Sequence, residues 1–174
     1  MNLPWTIREA RDDDALDVIE LIGSVFGEYT NCVLDVDGEL PELRRVASYY
    51  AELGGEFWVA ERDLGDLGKR IVGMGGYSAK EDAAGGPPGV ELRKLYVHRR
   101  ERKTGLGRAI IERVEAAARN RRAAFIDLWS DTRFATAHAF YERRGYVRGP
   151  STRDLHDLSK SVEFYFKKTL APER

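Results

Sequence analysis

Most residues of this chain whose types and spacing could do chemistry stand between Glu91 and Gly145. The segment Arg102-Lys103-Thr104-Gly105-Leu106-Gly107-Arg108 sets two glycines at i and i+2 among three cationic side chains. Glycine lets backbone approach a ligand closely and takes up torsions that side chains block. The apolar spacing that follows predicts a long amphipathic helix starting here. The first turn of such a helix offers N–H groups without internal partners, backed by the positive end of the macrodipole. That arrangement binds phosphate, and the flanking cations favour a diphosphate. Downstream and upstream of it, Tyr141, Glu91, His98 and His138 are of types suited to general acid or base work.

Common phosphate loops fit poorly. No stretch supplies Gly-x4-Gly-Lys-Ser/Thr, and in Gly105-Leu106-Gly107-Arg108-Ala109-Ile110 an Ile occupies the third position of a dinucleotide fingerprint. The match is to Arg/Gln-x-x-Gly-x-Gly/Ala after a Leu-x-Val strand, here Leu95-Tyr96-Val97. Further on, Ala137-His138-Ala139-Phe140-Tyr141-Glu142-Arg143-Arg144-Gly145-Tyr146 matches Ala-x-x-Phe/Leu-Tyr-Glu-x-x-Gly-Phe/Tyr. In this order, one helix and one strand apart, the two motifs resemble those of the GNAT superfamily of acetyl-coenzyme A-dependent N-acetyltransferases.

The resemblance implies an α+β fold, a mixed central sheet flanked by helices. It implies acetyl-coenzyme A as acetyl donor, with Leu95, Tyr96 and Val97 pairing with the pantetheine arm. Arg102, Lys103, Thr104, Gly105, Leu106, Gly107 and Arg108 would take the pyrophosphate, and an N–H near Leu95 would be the oxyanion donor. Tyr141 matches the tyrosine that such enzymes point at the sulfur. A phenol of pKa ~10 can donate to a thiolate whose acid has pKa ~8.5. Against this, Phe134, Ala137 and Tyr141 recur at i, i+3 and i+7, the spacing of a core stripe. Glu91 matches a Glu that acts as base through water, though a solvated strand-end carboxylate paired with Arg93 reads equally well. Regular alternation puts Glu91, Arg93, Leu95 and Val97 on one face; a bulge, usual in the family, changes that assignment. His98 reads as a loop residue. His138 is a rival base or a coenzyme contact. Phe134 stands where many members carry an Asn; it could pack on the coenzyme, with Thr132 or Ser130 making the missing polar contact.

Stepping along the elements, Trp5–Arg8 alternates like a strand, and the stripe Ala15, Val18, Ile19, Ile22, Phe26 predicts a helix after Asp12, Asp13 and Asp14. A long aperiodic connection, 27–41, precedes a second helix expected over Glu42–Leu53. Strands are expected over Phe57–Ala60, Arg70–Tyr77, Glu91–Val97, Ala123–Trp129, Tyr146–Arg148 and Val162–Phe166. Residues 83–89 read as a connection. The third helix buries Leu106, Ala109, Ile110, Val114, Ala117 and Ala118 and turns Glu115 and Arg119 outward as an i,i+4 pair. Ser130, Asp131 or Thr132 would cap the fourth, with Gly145 just past its end. The order is β-α-α-β-β-β-α-β-α-β-β in one domain over 1–174. Residues 1–56 form the acceptor-facing half and 90–149 the coenzyme-binding core.

With 174 residues, 43% apolar and 33% charged, the chain has the makeup of a globular domain. A net charge of −1 gives no global field toward nucleic acid or an anionic membrane. Basic runs at 98–103 and 119–122 lack interleaved aromatics, so no nucleic-acid partner is expected. Nor is a membrane, since no apolar run nears the ~20 residues of a span. A lone Cys32 and an N-terminus without a basic-then-apolar pattern lead to a cytoplasmic expectation. Cys32 and three unclustered His residues give no metal site.

The expected reaction is acetyl transfer to a primary amine by direct attack in a ternary complex. Glu28, Asp35, Asp37 and Glu39 beside Tyr29 and Tyr49 favour a cationic acceptor such as a polyamine, an aminoglycoside, a basic amino acid or a peptide lysine; they also read as a solvated loop. Arg153 or His156 would suit an amino acid's carboxylate. The alternative is a sensor that binds an acyl-coenzyme A without turnover. Many GNAT enzymes are dimers, so the resemblance extends to a homodimer.

Overall fold

The computed structural model describes residues 4–81 and 85–170. Its elements run β1 (Thr6–Glu9), α1 (Ala15–Phe26), α2 (Val46–Glu52), β2 (Glu56–Asp63), β3 (Lys69–Lys80), β4 (Gly89–Val97), α3 (Leu106–Asn120), β5 (Phe125–Asp131), α4 (Ala135–Arg143), β6 (Val147–Asp154) and β7 (Val162–Thr169). This is the α+β order expected from the sequence. Of the connection 83–89, residues 83 and 84 lie outside the described residues.

The seven strands form one mixed sheet in the order β1-β2-β3-β4-β5-β7-β6, with β4 and β5 its one parallel pair. Helix α3 covers one face, burying Leu106, Ile110, Ile111, Val114 and Ala118. It sits close to β3 because that strand presents glycines to it. A Cβ at Gly73 would lie 2.9 Å from Leu106 Cδ2, and one at Gly75 would lie 2.8 Å from Ile110 Cγ2. The apolar stripes of α1 and α2 cover the opposite face through Val18, Leu21, Ile22, Val46 and Tyr50, packed on Phe57, Val59 and Met74.

Three expectations need correcting. The second helix does not run from Glu42 to Leu53: Pro41–Arg44 is a 3₁₀ turn, and Arg45, at φ −151°, separates it from α2. Strand β6 is longer than Tyr146–Arg148. Its residues are almost all exposed on the sheet edge, so no buried alternation marked it in the sequence. And Glu115 faces inward. Only 3% exposed, it accepts hydrogen bonds from Arg144 Nη2 and Lys168 Nζ, both at 2.9 Å, and from the Tyr146 hydroxyl at 3.5 Å. The apolar stripe of α3 thus carries one carboxylate, neutralised by cations from the segment after α4 and from β7.

Those two cations hold the Glu115 carboxyl below its ordinary value of 4.5 against the opposing effect of burial. Its contribution to stability is therefore complete above the unfolded-state pKa and lost as pH falls through the depressed folded-state value. Glu115→Ala leaves Arg144 and Lys168 unpaired and is expected to cost roughly 3 kcal/mol in urea unfolding at pH 7. That difference from wild type should shrink as unfolding is repeated at successively lower pH below about 4.5.

Candidate active site

The sheet opens between β4 and β5. Their register pairs only Val90 with Ile126 and Glu91 with Asp127. Beyond these, β5 stays paired with β7 as far as Asp131, and β4 stays paired with β3 as far as Val97. Each therefore presents one unpaired backbone edge to a wedge-shaped gap. A bulge turns β4 at the same level: Arg93 pairs with Gly76 and Tyr96 with Met74, leaving Lys94 and Leu95 opposite Gly75 alone. Lys94 takes φ +53°, uncommon for a residue with a Cβ. It is anchored by a 2.8 Å ion pair with Glu42.

The bulge overturns regular alternation. Leu95 and Val97 pack toward α3 with Leu106 and Ile110, whereas Tyr96 joins the cluster under α1 and α2. Arg93 lies beside Tyr50 on that second face, where Lys94 meets Glu42. Glu91 and Arg93 therefore do not share a face with Leu95 and Val97. Leu95 is left at the point where β4 faces the gap without a strand partner.

At the open end of the gap, β4 leads into the glycine loop. The Arg102 N–H bonds the Arg99 carbonyl at 3.4 Å, and the next bonded amide is Ala109, which donates to Gly105 at 2.9 Å. Among the described residues, the six N–H groups from Lys103 to Arg108 have no protein acceptor. Lys103 at φ +65° and Gly105 at φ +92° curl the chain into this arc, and Thr104 Oγ1 braces it by donating to the Glu101 carbonyl at 2.7 Å. Leu106, fully buried, pins the start of α3 to the sheet. Consecutive free amides at a helix start form a site for a diphosphate, and these residues fit one. Arg108 points away to Glu112, at 2.8 Å, and Lys103 is exposed. Arg102 is engaged by both carboxylate oxygens of Glu28, at 2.7 and 2.6 Å.

Tyr141, only 6% exposed, packs against Phe140, Tyr146 and Phe166. Burial alone pushes its phenol above the ordinary value. Tyr96 is likewise pushed up, by burial first. Phe134 precedes α4 rather than lying in it and leaves the Tyr141 stripe. It meets Tyr29 at 4.8 Å, Phe26 at 6.4 Å and Tyr96 at 6.5 Å, an aromatic group joining the end of α1, β4 and the β5–α4 connection.

His138 turns its ring to β7, 5.5 Å from Phe164 and 5.3 Å from Phe166. Its Nε2 lies 2.9 Å from the Asp131 carbonyl and 3.2 Å from Ser130 Oγ. Burial lowers its pKa. His98 opens a 3₁₀ turn, its Nδ1 accepting from the Arg100 N–H at 3.3 Å. None of Ser130, Asp131 and Thr132 occupies the cap position of α4; Asp131 instead accepts from the Arg133 N–H at 2.8 Å.

Glu91 lies at the closed end of the gap, 2.5 Å from Arg93 Nη1 and 3.9 Å from Lys80 Nζ. Opposite it, Asp127 is 1% exposed and accepts from Lys80 Nζ at 2.5 Å and the Tyr165 hydroxyl at 2.9 Å. Sequence reading passed over Asp127, yet a lone acid within Phe125-Ile126-Asp127-Leu128 was a signal, since a buried charge requires a partner. It also missed the specific partners of Glu28, Lys94 and Glu115, all long-range. The described residues hold no cluster of potential metal ligands, and no helix among them is long and apolar enough to cross a membrane.

The family model of the acetyltransferase (GNAT) domain matches residues 53–148, over half of the chain. Among solved structures, an acetyltransferase from Streptococcus agalactiae 2603 superposes with a TM-score of 0.77 at 21% identity, covering 97% of this chain and 100% of that one. A GNAT-family acetyltransferase from Staphylococcus aureus Mu50 gives 0.74 at 22%, covering 96% and 99%. The Salmonella typhimurium protein yncA, solved with its cofactor acetyl-CoA, gives 0.67 at 16%, covering 98% and 96%. At these identities the likeness speaks for the fold alone. No curated protein matches the sequence.

The two loop glycines should respond oppositely to alanine. At Gly105 a Cβ meets nothing within 4 Å, but φ +92° strains any side chain, so Gly105→Ala should cost about 1 kcal/mol. At Gly107, inside α3, a Cβ makes only ordinary contacts, 3.6 Å to Val97 and 4.0 Å to Phe140. Gly107→Ala should gain up to roughly 1 kcal/mol. Urea unfolding of both variants checks the pair of signs.

Proposed function

Since this chain belongs to the GNAT family of acetyltransferases, we propose that it moves an acetyl group from acetyl-coenzyme A to a primary amine by direct attack in a ternary complex. The observation that carries this reading is the gap between β4 and β5, flanked at its open end by six free amides. Bound acetyl-coenzyme A would supply the activated thioester. The amides from Lys103 to Arg108, with Arg102, hold its diphosphate, and the unpaired edge of β4 through Leu95, Tyr96 and Val97 offers N–H and C=O groups to its pantetheine amides. An N–H at the Leu95 bulge donates to the negative charge that develops on the carbonyl oxygen. Phe134 packs against the arm.

Tyr141 delivers a proton to the departing sulfur. Its raised pKa keeps the phenol protonated at neutral pH, and burial that raises a phenol raises a thiol beside it as well, so transfer stays balanced. Glu91 takes the ammonium proton through water, with Arg93 fixing its orientation. His138, held by Asp131 and Ser130, supports the β5 side of the gap. A covalent relay through Cys32 is disfavoured: burial pushes its thiol up, away from the nucleophilic thiolate. The acceptor is a small-molecule amine or a peptide amine, approaching from the face under α1 and α2.

Thiol release from acetyl-coenzyme A across a panel of amino acids, polyamines, aminoglycosides and lysine peptides tests the reading. Acceptor-dependent release is expected, falling about tenfold or more in Tyr141→Phe, the range for a lost general acid. Coenzyme affinity should be unchanged in that variant. Tight coenzyme binding with no release on any amine would favour the sensor instead.

A further inference from the structure

Residues 28 and 29, adjacent in sequence, grip opposite sides of the gap. The Glu28 carboxylate forks onto Arg102 with bonds of 2.7 and 2.6 Å, and the Arg102 Nε also donates to the Val97 carbonyl at 3.3 Å. The pair lies at the surface, its Glu28 and Arg102 side chains 24% and 33% exposed, so it is readily exchanged for another anion. Tyr29 packs its ring, tilted by 52°, 4.8 Å from Phe134 in the β5–α4 connection.

The same segment continues across the molecule. The Asn31 carbonyl accepts from Arg133 Nη1 at 3.2 Å. Val33 N–H donates to Ser159 Oγ at 2.8 Å, and Ser159 Oγ donates back to the Val33 carbonyl at 3.2 Å. The Leu158 N–H donates to Glu39 Oε1 at 2.6 Å. Residues 28–39 thus form a strap tied at one end to Arg102 and along its length to the β5–α4 connection and the β6–β7 turn.

We propose that Glu28 is an internal anion standing in for the coenzyme diphosphate on Arg102, so that donor binding releases the strap and opens the acceptor face. This rests on the reading of residues 102–108 as the diphosphate site. A carboxylate and a diphosphate present the same fork of anionic oxygens to a guanidinium, and one guanidinium cannot serve both fully. The diphosphate has the six free amides as further donors, which Glu28 does not reach. Exchange is therefore favourable once the coenzyme enters, and it leaves Glu28 without its partner. The strap carries Tyr29 and packs through Leu34 and Val36 on the cluster under α1 and α2, so its release bears on that face. Glu28 acts here as a positioning residue and touches no reacting atom.

The sign of one substitution separates this from a purely structural pair. Calorimetric titration with free coenzyme A should give a Kd about three- to tenfold lower for Glu28→Gln than for wild type, because a competing charge is gone. Hydrogen exchange of residues 28–39 should rise when wild type binds coenzyme A. In Glu28→Gln it should be raised already and change little on binding. Equal or weaker coenzyme binding by the variant overturns the proposal, as does unchanged or slower exchange of the wild-type segment on binding. Failure of both proteins to bind coenzyme A would instead bring down the donor reading, and this inference with it.

Discussion

Everything functional in this molecule depends on two parallel strands that stop being neighbours after two residue pairs. In a closed sheet the edges of β4 and β5 would satisfy each other. Here residues 92–97 of β4 and 128–131 of β5 each keep one edge without a strand partner; only at the open end do the Val97 and Asp131 carbonyls find side chains, Arg102 and His138. Unpaired backbone groups away from water are costly, so a persistent gap of this kind has to be held open and calls for a ligand with amides of its own. The helix that follows β4 begins at the open end, which brings the free amides of its first turn and a strand-like slot into line.

What holds the strands apart is local on β4 and long-range on β5. The extra residue at Lys94–Leu95 bends and twists β4 away, as bulges do, and the ion pair from Lys94 to Glu42 secures the left-handed torsion. Strand β5 is drawn the other way by pairing with β7 over its whole length, from Phe125 with Thr169 to Asp131 with Glu163. Neither device would suffice alone: a bulge in a strand paired on both sides merely kinks it, and β7 has no hold on β4.

The glycine turn at the start of α3, the end of α4 and the element order were legible in the sequence because their signals are contiguous. Two glycines, the following 3.6-residue stripe and the Gly145 turn each lie within one short window. Gly145 does follow α4 at φ +85°, with the Tyr146 N–H bonded to the Tyr141 carbonyl at 3.1 Å. What escaped depends on partners far along the chain. Arg102 looked free for phosphate because its partner Glu28 lies 74 residues away. Glu115 looked solvated because one of its cations, Lys168, lies 53 residues on. Both are charges that composition counts but cannot pair. Phe134 was misplaced for a different reason: helical spacing was extended one turn too far, across a residue whose torsions, φ −85° and ψ 53°, stand outside the helix.

The closed end of the gap is polar, and there is a physical reason for it to be so. Apolar contacts there would be non-directional and would leave the point of separation free to slide by one pair. Lys80 on β3, Asp127 on β5 and Tyr165 on β7 instead converge through bonds of 2.5 and 2.9 Å. Directional bonds of that kind fix which residue of β5 faces Glu91. Register in turn fixes how far Leu95 stands from the vertex, and hence where the proposed oxyanion donor lies. The buried charge at Asp127 thus works on geometry more than on net stability, since a buried ion pair adds little once desolvation is counted. A network that reaches from β3 across β4 to β5 and β7 sets the reach of the gap, and the chemistry proposed for its rim follows from that reach.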